Sequence, residues 1–98
     1  MIVRIVQMTF KQEHITLFIS IFKNLKHKIE SMEGCLHVKL LQDKKEKNIF
    51  FTYSHWEGEE NLHHYRKSEI FSEIWPKTKA LFLKDAEKAI GKTKKAFN

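Results

Sequence analysis

The sequence predicts an α+β domain with the βαββαβ order of ferredoxin-like folds, in which helices cover one face of an antiparallel sheet. Three runs of β-branched and aromatic residues, at 2–10, 35–42 and 49–56, have the composition of strands. Apolar residues spaced three and four positions apart from Ile15 onward indicate a helix after the first strand. A chain of 98 residues is long enough for one compact domain, so we expect a single domain over residues 1–98.

The first predicted strand, IVRIVQMTF at residues 2–10, is apolar almost without interruption. Such a run is typical of a central strand that is buried on both faces. In the helix that follows, the apolar side chains form one stripe, and Gly34 is expected to end it because glycine readily adopts a left-handed conformation. The stripe consists of Ile15, Phe18, Phe22, Leu25, Ile29 and Met32.

The second and third strands are predicted to form a hairpin. Residues 35–42, CLHVKLLQ, alternate in polarity, which suits a strand with one wetter face, and the polar residues 43–48 supply the turn. The third strand, IFFTYSHW at residues 49–56, carries aromatic side chains on both faces, because successive side chains point in opposite directions. One face presents Phe50, Thr52, Ser54 and Trp56, and the other presents Ile49, Phe51, Tyr53 and His55.

The C-terminal part is predicted to contain two helical segments and an ambiguous end. Gly58 followed by two glutamates is typical of a helix start, and Ser68 is suited to cap a second segment. Pro76 either kinks that segment or begins a new turn that extends to Leu83. Residues 85–98 fit a helix about as well as a strand, and only a strand there completes the βαββαβ order.

Helices on one face leave the opposite face of the sheet without a cover. The side chains predicted there, Ile49, Phe51 and Tyr53, are apolar or aromatic, so a partner is needed to exclude water from them. A second copy of the chain would do so, and two-fold dimers are the commonest oligomers. We therefore expect a homodimer through this face.

A nucleic acid is the other cover that this topology allows. RNA-recognition domains share the topology and stack bases on aromatic side chains of the open face. Their strand motif needs a glycine ahead of the aromatics, and the segment NIFFTYSHW at residues 48–56 has none. The net charge of +6 permits binding, but the lysines are scattered except near the C-terminus. We expect no nucleic-acid partner.

Metal and nucleotide sites lack support in the sequence. Glu59 with His63, and Glu60 with His64, have helical i, i+4 spacing, but the two pairs point to different faces. A metal site needs three or more convergent ligands. The three glycines are isolated, so no phosphate-binding or dinucleotide loop is formed. We therefore expect neither a metal site nor nucleotide chemistry.

The compartment is predicted from the cysteine count and the apolar segments. Cys35 is the single cysteine and has no partner for an internal disulfide, which suits a reducing compartment. The longest apolar block, residues 15–22, is far shorter than the roughly 20 residues of a membrane-spanning helix. No secretory leader pattern is visible at the start. We expect a soluble cytoplasmic protein with no membrane partner.

Two segments of the chain resemble a known family. GCLHVKLLQD, residues 34–43, follows the long helix, and NIFFTYSHWEGEENLHHYRKSEIF, residues 48–71, joins an aromatic strand ending in tryptophan to an acidic helix start and a Ser-x-x-Phe step. Over residues 1–83 the chain is similar to the antibiotic biosynthesis monooxygenase (ABM) family of dimeric α+β barrels. The resemblance implies a homodimer whose open sheet faces pack together, with a pocket in each subunit between sheet and helices.

The resemblance also implies roles for individual residues. Trp56 stands where polyketide oxygenases of the family have a pocket tryptophan, and Thr52 stands where they have an asparagine. Gln7, Tyr65 and Trp75 stand where haem-degrading members have an asparagine, a tryptophan and a histidine. No axial haem ligand remains at the matched position, which argues against haem degradation. The oxygenase activity that the resemblance implies needs no flavin or metal cofactor. The implied substrate-binding residues are Gln7, Thr52, Trp56, Tyr65 and Trp75.

The implied activity is cofactor-independent oxygenation of a small electron-rich aromatic molecule, such as a quinol or a polyketide, whose anion reduces oxygen directly. His55 and His64 are candidate proton acceptors if either reaches the pocket. Trp56, Tyr65 and Trp75 are expected to enclose a cavity large enough for one aromatic ring, unless these large side chains are simply core. The alternative function is a non-catalytic small-molecule-binding or dimeric interaction module of the same fold.

Overall fold

The computed structural model describes residues 1–83 and 90–95. This part of the chain forms a four-stranded antiparallel sheet with helices on one face, which confirms the predicted ferredoxin-like α+β class. A short 3-10 turn at Gln12–His14 precedes the first helix. The elements in chain order are β1 at Ile2–Thr9, α1 at Ile15–Glu30, β2 at Cys35–Gln42, β3 at Ile49–Trp56, α2 at Glu59–Arg66, α3 at Glu69–Lys79 and β4 at Ile90–Lys95.

The strand order in the sheet is β2-β3-β1-β4, so β1 and β3 occupy the centre, as their apolar character predicts. In the antiparallel register of these two strands, Arg4 lies opposite Ser54 and Val6 lies opposite Thr52. Side chains that lie directly opposite each other share a face of the sheet. The register therefore fixes which residues of β1 meet the helices.

The two faces of the sheet have different surroundings, and β3 contributes to both. The helices lie against the face that we call the covered face. Its β3 side chains are Phe50, Thr52, Ser54 and Trp56. The opposite face, which we call the open face, carries half-buried side chains of the same strand. These are Ile49, Phe51, Tyr53 and His55, the division that strand alternation predicts.

The core lies between the covered face and the helices. Trp56, Phe10 and Phe50 are the largest fully buried side chains of the described chain. The ring of Phe10 stacks on that of Phe18 in α1, with 4.1 Å between the centroids. The buried residues of α1 are four members of the predicted stripe, Phe18, Phe22, Leu25 and Ile29. This packing fixes α1 against the sheet.

The end of α1 differs from the prediction. The helix stops at Glu30, and a turn leads from it into β2. Gly34 has the expected left-handed conformation, with a φ of 80°, but it lies in this turn and not at the helix end. A side chain at position 34 would collide with Asn61 of α2. Both the backbone conformation and the close packing therefore require glycine.

The start of α3 agrees with the prediction. Ser68 Oγ accepts a hydrogen bond from the Phe71 N–H at 3.2 Å, and it donates to the Tyr65 carbonyl of α2 at 2.6 Å. The helix continues through Pro76 to Lys79, so no new turn begins at the proline. α3 packs mainly against α1 and α2, and less against the strands. This arrangement leaves space between α3 and the sheet.

The ambiguous C-terminal segment contains a strand. β4 pairs antiparallel with β1, with Thr93 opposite Arg4 and Gly91 opposite Val6. The strand alternative is therefore correct for Ile90–Lys95. The other positions of that segment, 85–89 and 96–98, lie outside the described residues.

Candidate functional site

A cavity of about 60 Å³ lies between the covered face and α3. Arg4, Thr52 and Trp56 line it from the strands, Tyr65 lines it from α2, and Trp75 lines it from α3. Most of the other lining side chains are apolar. An apolar lining with a few convergent polar groups is the usual form of a small-molecule site.

Aromatic rings form one side of the cavity in a continuous row. Trp56 is 0% exposed and stacks on Tyr65, with 5.1 Å between the ring centroids and 26° between the planes. Phe71 meets Tyr65 edge-on at 5.2 Å and stacks on Trp75 at 5.8 Å. The row runs from the sheet to the half-buried Trp75 on α3. A planar ligand would therefore find an aromatic partner along its face.

The uncharged polar groups that line the cavity include hydroxyls whose protons are still available and donors that are already bonded within the protein. Trp56 Nε1 donates to Ser54 Oγ at 3.0 Å, so the Ser54 hydroxyl keeps its own proton for another acceptor. Thr78 Oγ1 donates to a backbone carbonyl of α3 at 2.9 Å. Burial raises the pKa of Tyr65 to about 12, so its phenol is neutral at physiological pH. These groups suit a ligand that offers an oxygen acceptor.

Arg4 places a positive charge in the lining of the cavity. Its Nε atom is buried and has no hydrogen-bond partner within the described ranges. Burial lowers the pKa of Arg4 from its ordinary value, and the charge of Arg66 lowers it further, while Tyr65 acts in the opposite direction. An arginine starts from a pKa of about 12 or higher, so the guanidinium stays charged.

Sequence reasoning missed Arg4, although a signal for it is present. The strand IVRIVQMTF contains a single charged residue within an apolar run. Charged residues are rarely buried without a partner, so a lone charge in a central strand marks a candidate functional position. The alternation of side chains then places Arg4 on the same face as Val6 and Met8, which also line the cavity.

The structure brings four of the five predicted binding residues together and separates the fifth. Those that line the cavity are Thr52, Trp56, Tyr65 and Trp75. Gln7 lies opposite Phe51 on the open face, where it borders a separate depression with Ile5 and Lys92. Because side chains alternate along β1, Gln7 points away from the cavity. The structure therefore does not place Gln7 among the residues that line the cavity.

Neither candidate histidine reaches the cavity. His55 lies on the open face, where its Nε2 is 2.8 Å from Tyr53 Oη. His64 is exposed on α2. A role as proton acceptor requires access to the pocket, and neither residue has it.

The cavity is also smaller than the sequence predicts. Space for one aromatic ring corresponds to about 150 Å³, the volume of an engineered cavity that binds benzene. The volume here is about 60 Å³, because the protein's own rings fill the slot, with Trp56 stacked directly on Tyr65. The expected ring-sized cavity is therefore not preformed. A ring requires outward movement of the half-buried side chains on α3, Phe71 and Trp75.

The open face forms a second candidate surface, of different composition. Phe51 and Ile49 are half-buried, and Leu41 of β2, opposite Phe51, is 42% exposed. The Tyr53–His55 pair is extended by His37, whose ring centroid is 6.0 Å from that of His55. Apolar side chains thus lie beside a polar cluster on an exposed sheet face. The expected dimer through this face stays a prediction.

Residues 1–83 and 90–95 provide neither a metal-binding cluster nor a membrane-spanning helix. No group of three or more His, Cys, Asp or Glu side chains in these ranges could hold a metal ion. The helices of the same ranges are too short or too polar to cross a membrane. The cavity and the open face are therefore the two surfaces to be explained.

Comparisons with known proteins identify a family and several structural relatives. Residues 1–76 match the family model described as antibiotic biosynthesis monooxygenase. A conserved protein from Methanosarcina mazei Go1 is 22% identical with a TM-score of 0.86, and the match covers 95% of this chain and 90% of that chain. A solved antibiotic biosynthesis monooxygenase is 21% identical with a TM-score of 0.88 over 100% of both chains.

A further relative among the solved structures is PA3566 from Pseudomonas aeruginosa. It is 18% identical with a TM-score of 0.83, and the match covers 99% of this chain and 94% of that chain. No curated protein matches the chain. At these identities the solved structures establish the fold, and the family model establishes the kinship.

Proposed function

The chain belongs to the antibiotic biosynthesis monooxygenase family, and from that premise we propose that it is a cofactor-independent monooxygenase of a small electron-rich aromatic molecule. A quinol or a polyketide-like compound has the required chemistry. The observation that carries the proposal is the cavity between the covered face and α3, lined by aromatic rings and a few hydroxyl groups. We propose that this cavity, widened by movement at α3, is the substrate site.

The proposed reaction takes its electrons from the substrate. The aromatic anion donates electrons to molecular oxygen, and one oxygen atom forms a new bond to a substrate carbon. The second oxygen atom leaves as water with two hydrogens that the substrate loses. The CH2 group of an anthrone becomes a carbonyl, and a quinol becomes a hydroxyquinone, so atoms and electrons balance without a cofactor. The protein contributes by holding the substrate in one orientation and by excluding bulk water.

The cavity residues have separate roles in this proposal. Phe71 and Trp75 contact the substrate ring, and the Thr52 hydroxyl and the neutral Tyr65 phenol donate hydrogen bonds to its oxygen. Trp56 supports the site from beneath, because it is fully buried and holds both Tyr65 and Ser54 in place. Binding therefore depends on the α3 side chains more directly than on Trp56.

We further propose that the working unit is a cytoplasmic homodimer, each copy a single domain, that is built through the open face. The half-buried Phe51 and the exposed Leu41 give this face an apolar area that a second copy would cover. Cys35 is a free thiol, which suits a reducing compartment. Gln7 and His55 belong to the subunit interface in this arrangement.

The second candidate function is a non-catalytic binding or interaction module of the same fold. The observation that favours it is the cavity volume of about 60 Å³, since stacked rings that leave no space for a substrate would act as core. In that case the open face is the functional surface, and the cavity residues contribute to stability alone.

Oxygen uptake by the purified chain, measured with a panel of quinols and anthrones, tests the proposed function. We expect saturable uptake with at least one compound, with a quinone product from an anthrone, or a hydroxyquinone product from a quinol, formed in a one-to-one ratio to oxygen. Trp75→Leu should lower the rate at least tenfold, because it removes a ring that contacts the substrate. His64→Gln, a change on the exposed side of α2, should leave the rate unchanged.

The panel also distinguishes the two candidates. If the folded protein consumes no oxygen above the uncatalysed rate with any compound, the monooxygenase proposal fails and the binding module remains. Equal loss of oxygen uptake in the Trp75 and His64 variants would show that the activity does not depend on the cavity.

A further inference from the structure

Arg4 is a half-buried cation, and no carboxylate of the described residues forms an ion pair with it. It lies on the covered face of the central strand β1, and its guanidinium group borders the cavity. The Nε atom is buried and makes no hydrogen bond among residues 1–83 and 90–95. Nearly all buried polar groups of native proteins are paired, and an exception requires an explanation. The Nε donor of Arg4 therefore needs an acceptor from outside the described residues.

The charges that face Arg4 increase the cost of leaving it unpaired. Arg66, at the end of α2, acts on it by repulsion, and Tyr65 beside it is a neutral phenol at physiological pH. No carboxylate of the described ranges forms an ion pair with Arg4. Transfer of a charged group from water into an apolar site is strongly unfavourable unless it is paired. Among residues 1–83 and 90–95, the charge of Arg4 at this end of the cavity is thus not balanced by an ion pair.

Hydroxyl groups flank Arg4 on the same face of the sheet. Ser54 lies directly opposite it on β3, and Thr93 lies directly opposite it on β4. Opposite side chains in an antiparallel ladder are near neighbours. The Ser54 oxygen already accepts the Trp56 indole N–H, so its own proton is available for donation. Neither hydroxyl has a described hydrogen bond with Arg4, and both can donate a proton to an oxygen that Arg4 also binds.

We infer that Arg4 binds the deprotonated oxygen of the substrate, and that the cavity therefore selects an aromatic monoanion, a phenolate or enolate, over the neutral molecule. The planar guanidinium fork matches such an oxygen, and charge-assisted hydrogen bonds are the strongest kind available. The inference rests on the proposed oxygenase function, because the anion is the form that reduces oxygen.

Binding of the substrate anion by Arg4 also explains how a cavity without a lining histidine can hold a deprotonated substrate. A buried positive charge favours the deprotonated form of a nearby acid and so lowers its pKa. The substrate hydroxyl proton then passes to solvent as the substrate binds, and no side chain of the cavity has to accept it. Arg4 replaces the proton acceptor that sequence reasoning assigned to His55 or His64.

Binding of 4-nitrophenol to the full chain tests the inference, because its phenolate absorbs visible light and its neutral form does not. At a pH roughly one unit below the pKa of the free phenol, the wild type should generate the phenolate band on binding, with the bound pKa lowered by about one unit or more. Arg4→Met should abolish the band and weaken binding about tenfold or more, since one pKa unit is a factor of ten.

Two further variants serve as controls. Arg4→Lys keeps the charge without the planar fork and should restore part of the band. Lys92→Met removes the same charge from the open face and should bind as the wild type does. Arg4→Met should also melt at the wild-type temperature or above, because it removes a half-buried charge that has no described ion pair and keeps an unbranched apolar side chain.

Several results would overturn the inference. Failure of the wild type to bind nitrophenol, an unchanged pKa in the complex, or equal binding by Arg4→Met would each do so. A clear fall in melting temperature for Arg4→Met would show that Arg4 has a partner within the fold. Oxygen uptake that is equal in wild type and Arg4→Met would refute the inference while the oxygenase proposal stands. An Arg4-dependent phenolate band without any oxygen uptake would support the role of Arg4 and refute the oxygenase proposal.

Discussion

The two faces of β3 contain similar numbers of aromatic rings but have different surroundings. On the covered face, Phe50 and Trp56 are fully buried and contact rings from the helices. On the open face, Phe51 and Tyr53 are half-buried and the described chain provides no helix above them. Aromatic content alone therefore does not distinguish core from surface. Core residues differ from surface residues because the helices form a second layer over them.

The comparison also separates the two proposals for function. The covered face carries a cation and donor groups beside a cavity, which are the features of a ligand site. The open face carries apolar side chains around His37, Tyr53 and His55, which are the features of a surface that packs against another sheet. Variants on alternate positions of one strand can test each face separately.

Removal of Trp56 should give the largest effect. Trp56→Ala deletes a fully buried indole, so we expect the free energy of unfolding to fall by about 3–5 kcal/mol. Tyr53→Ala, three positions earlier on the open face, should lower the stability of a single subunit by much less. Urea denaturation, monitored by circular dichroism at several protein concentrations, measures both. Similar losses in the two variants at low concentration would contradict the distinction between the faces.

A charge on the open face should break the homodimer. Phe51→Asp places a carboxylate without a partner in an apolar interface, and a cost of about 3 kcal/mol would weaken the dimer roughly a hundredfold. Thr52→Val, its neighbour on the covered face, should leave the dimer intact. Multi-angle light scattering at micromolar concentration gives the mass of each variant. A wild type that is monomeric there would refute the proposed interface.

The stability of the covered face should depend on alkaline pH through Tyr65. Burial raises the pKa of this phenol from 10.0 to about 12, so the folded state keeps a proton that the unfolded chain releases. Its stabilising contribution is complete below the unfolded pKa and is lost as the pH rises through the folded one. Between about pH 9 and about pH 12 we expect a loss of about 1–3 kcal/mol that Tyr65→Phe lacks.

Tyr53→Phe is the matched control for that measurement. It removes a phenol from the open face and leaves Tyr65 in place, so the alkaline loss of stability should persist. Urea unfolding of the three proteins at both ends of the pH range is sufficient. If Tyr65→Phe shows the same pH dependence as the wild type, Tyr65 does not ionise with a raised pKa.

A conservative change at Trp56 should have the smallest effect on stability. Trp56→Phe keeps most of the buried apolar area but loses the hydrogen bond to Ser54, so we expect a loss of about 1–2 kcal/mol with fold and dimer intact. Ligand binding should weaken, because Ser54 and Tyr65 lose their support. Thermal melting measures the loss of stability, and a nitrophenol titration on the same sample measures the loss of binding. Unchanged binding would show that Trp56 does not support the site.

Alternation along a strand was sufficient to predict the division of β3 between the two faces. It was not sufficient for Gln7, because the register of β1 against β3 cannot be obtained from either strand alone. Residue-by-residue comparison with the family placed Gln7 in the pocket, whereas the register pairs it with Phe51 on the open face. The same register places Arg4 beside the cavity, a position to which its isolated charge already pointed.

The size of the cavity was beyond sequence reasoning for a different reason. Strand alternation places Thr52 on the side of Trp56, and helix spacing places Trp75 on an inner face, whereas the binding roles of Thr52, Tyr65 and Trp75 came from the family resemblance. The space that they leave depends on side-chain rotamers and on the position of α3, which packs against α1 and α2. Small shifts in such packing decide between a filled core and a ligand site.

The central claim, that the covered face binds the ligand and the open face assembles the subunits, is tested most directly by the indole N–H signals in a proton–nitrogen NMR spectrum. The chain has two tryptophans, Trp56 and Trp75, and both line the cavity. On titration with 4-nitrophenol, we predict that both indole signals shift in the wild type and in monomeric Phe51→Asp, and that Arg4→Met needs about tenfold more ligand or more for the same shift. Unchanged indole signals, with shifts confined to backbone amides of open-face residues, would contradict the claim.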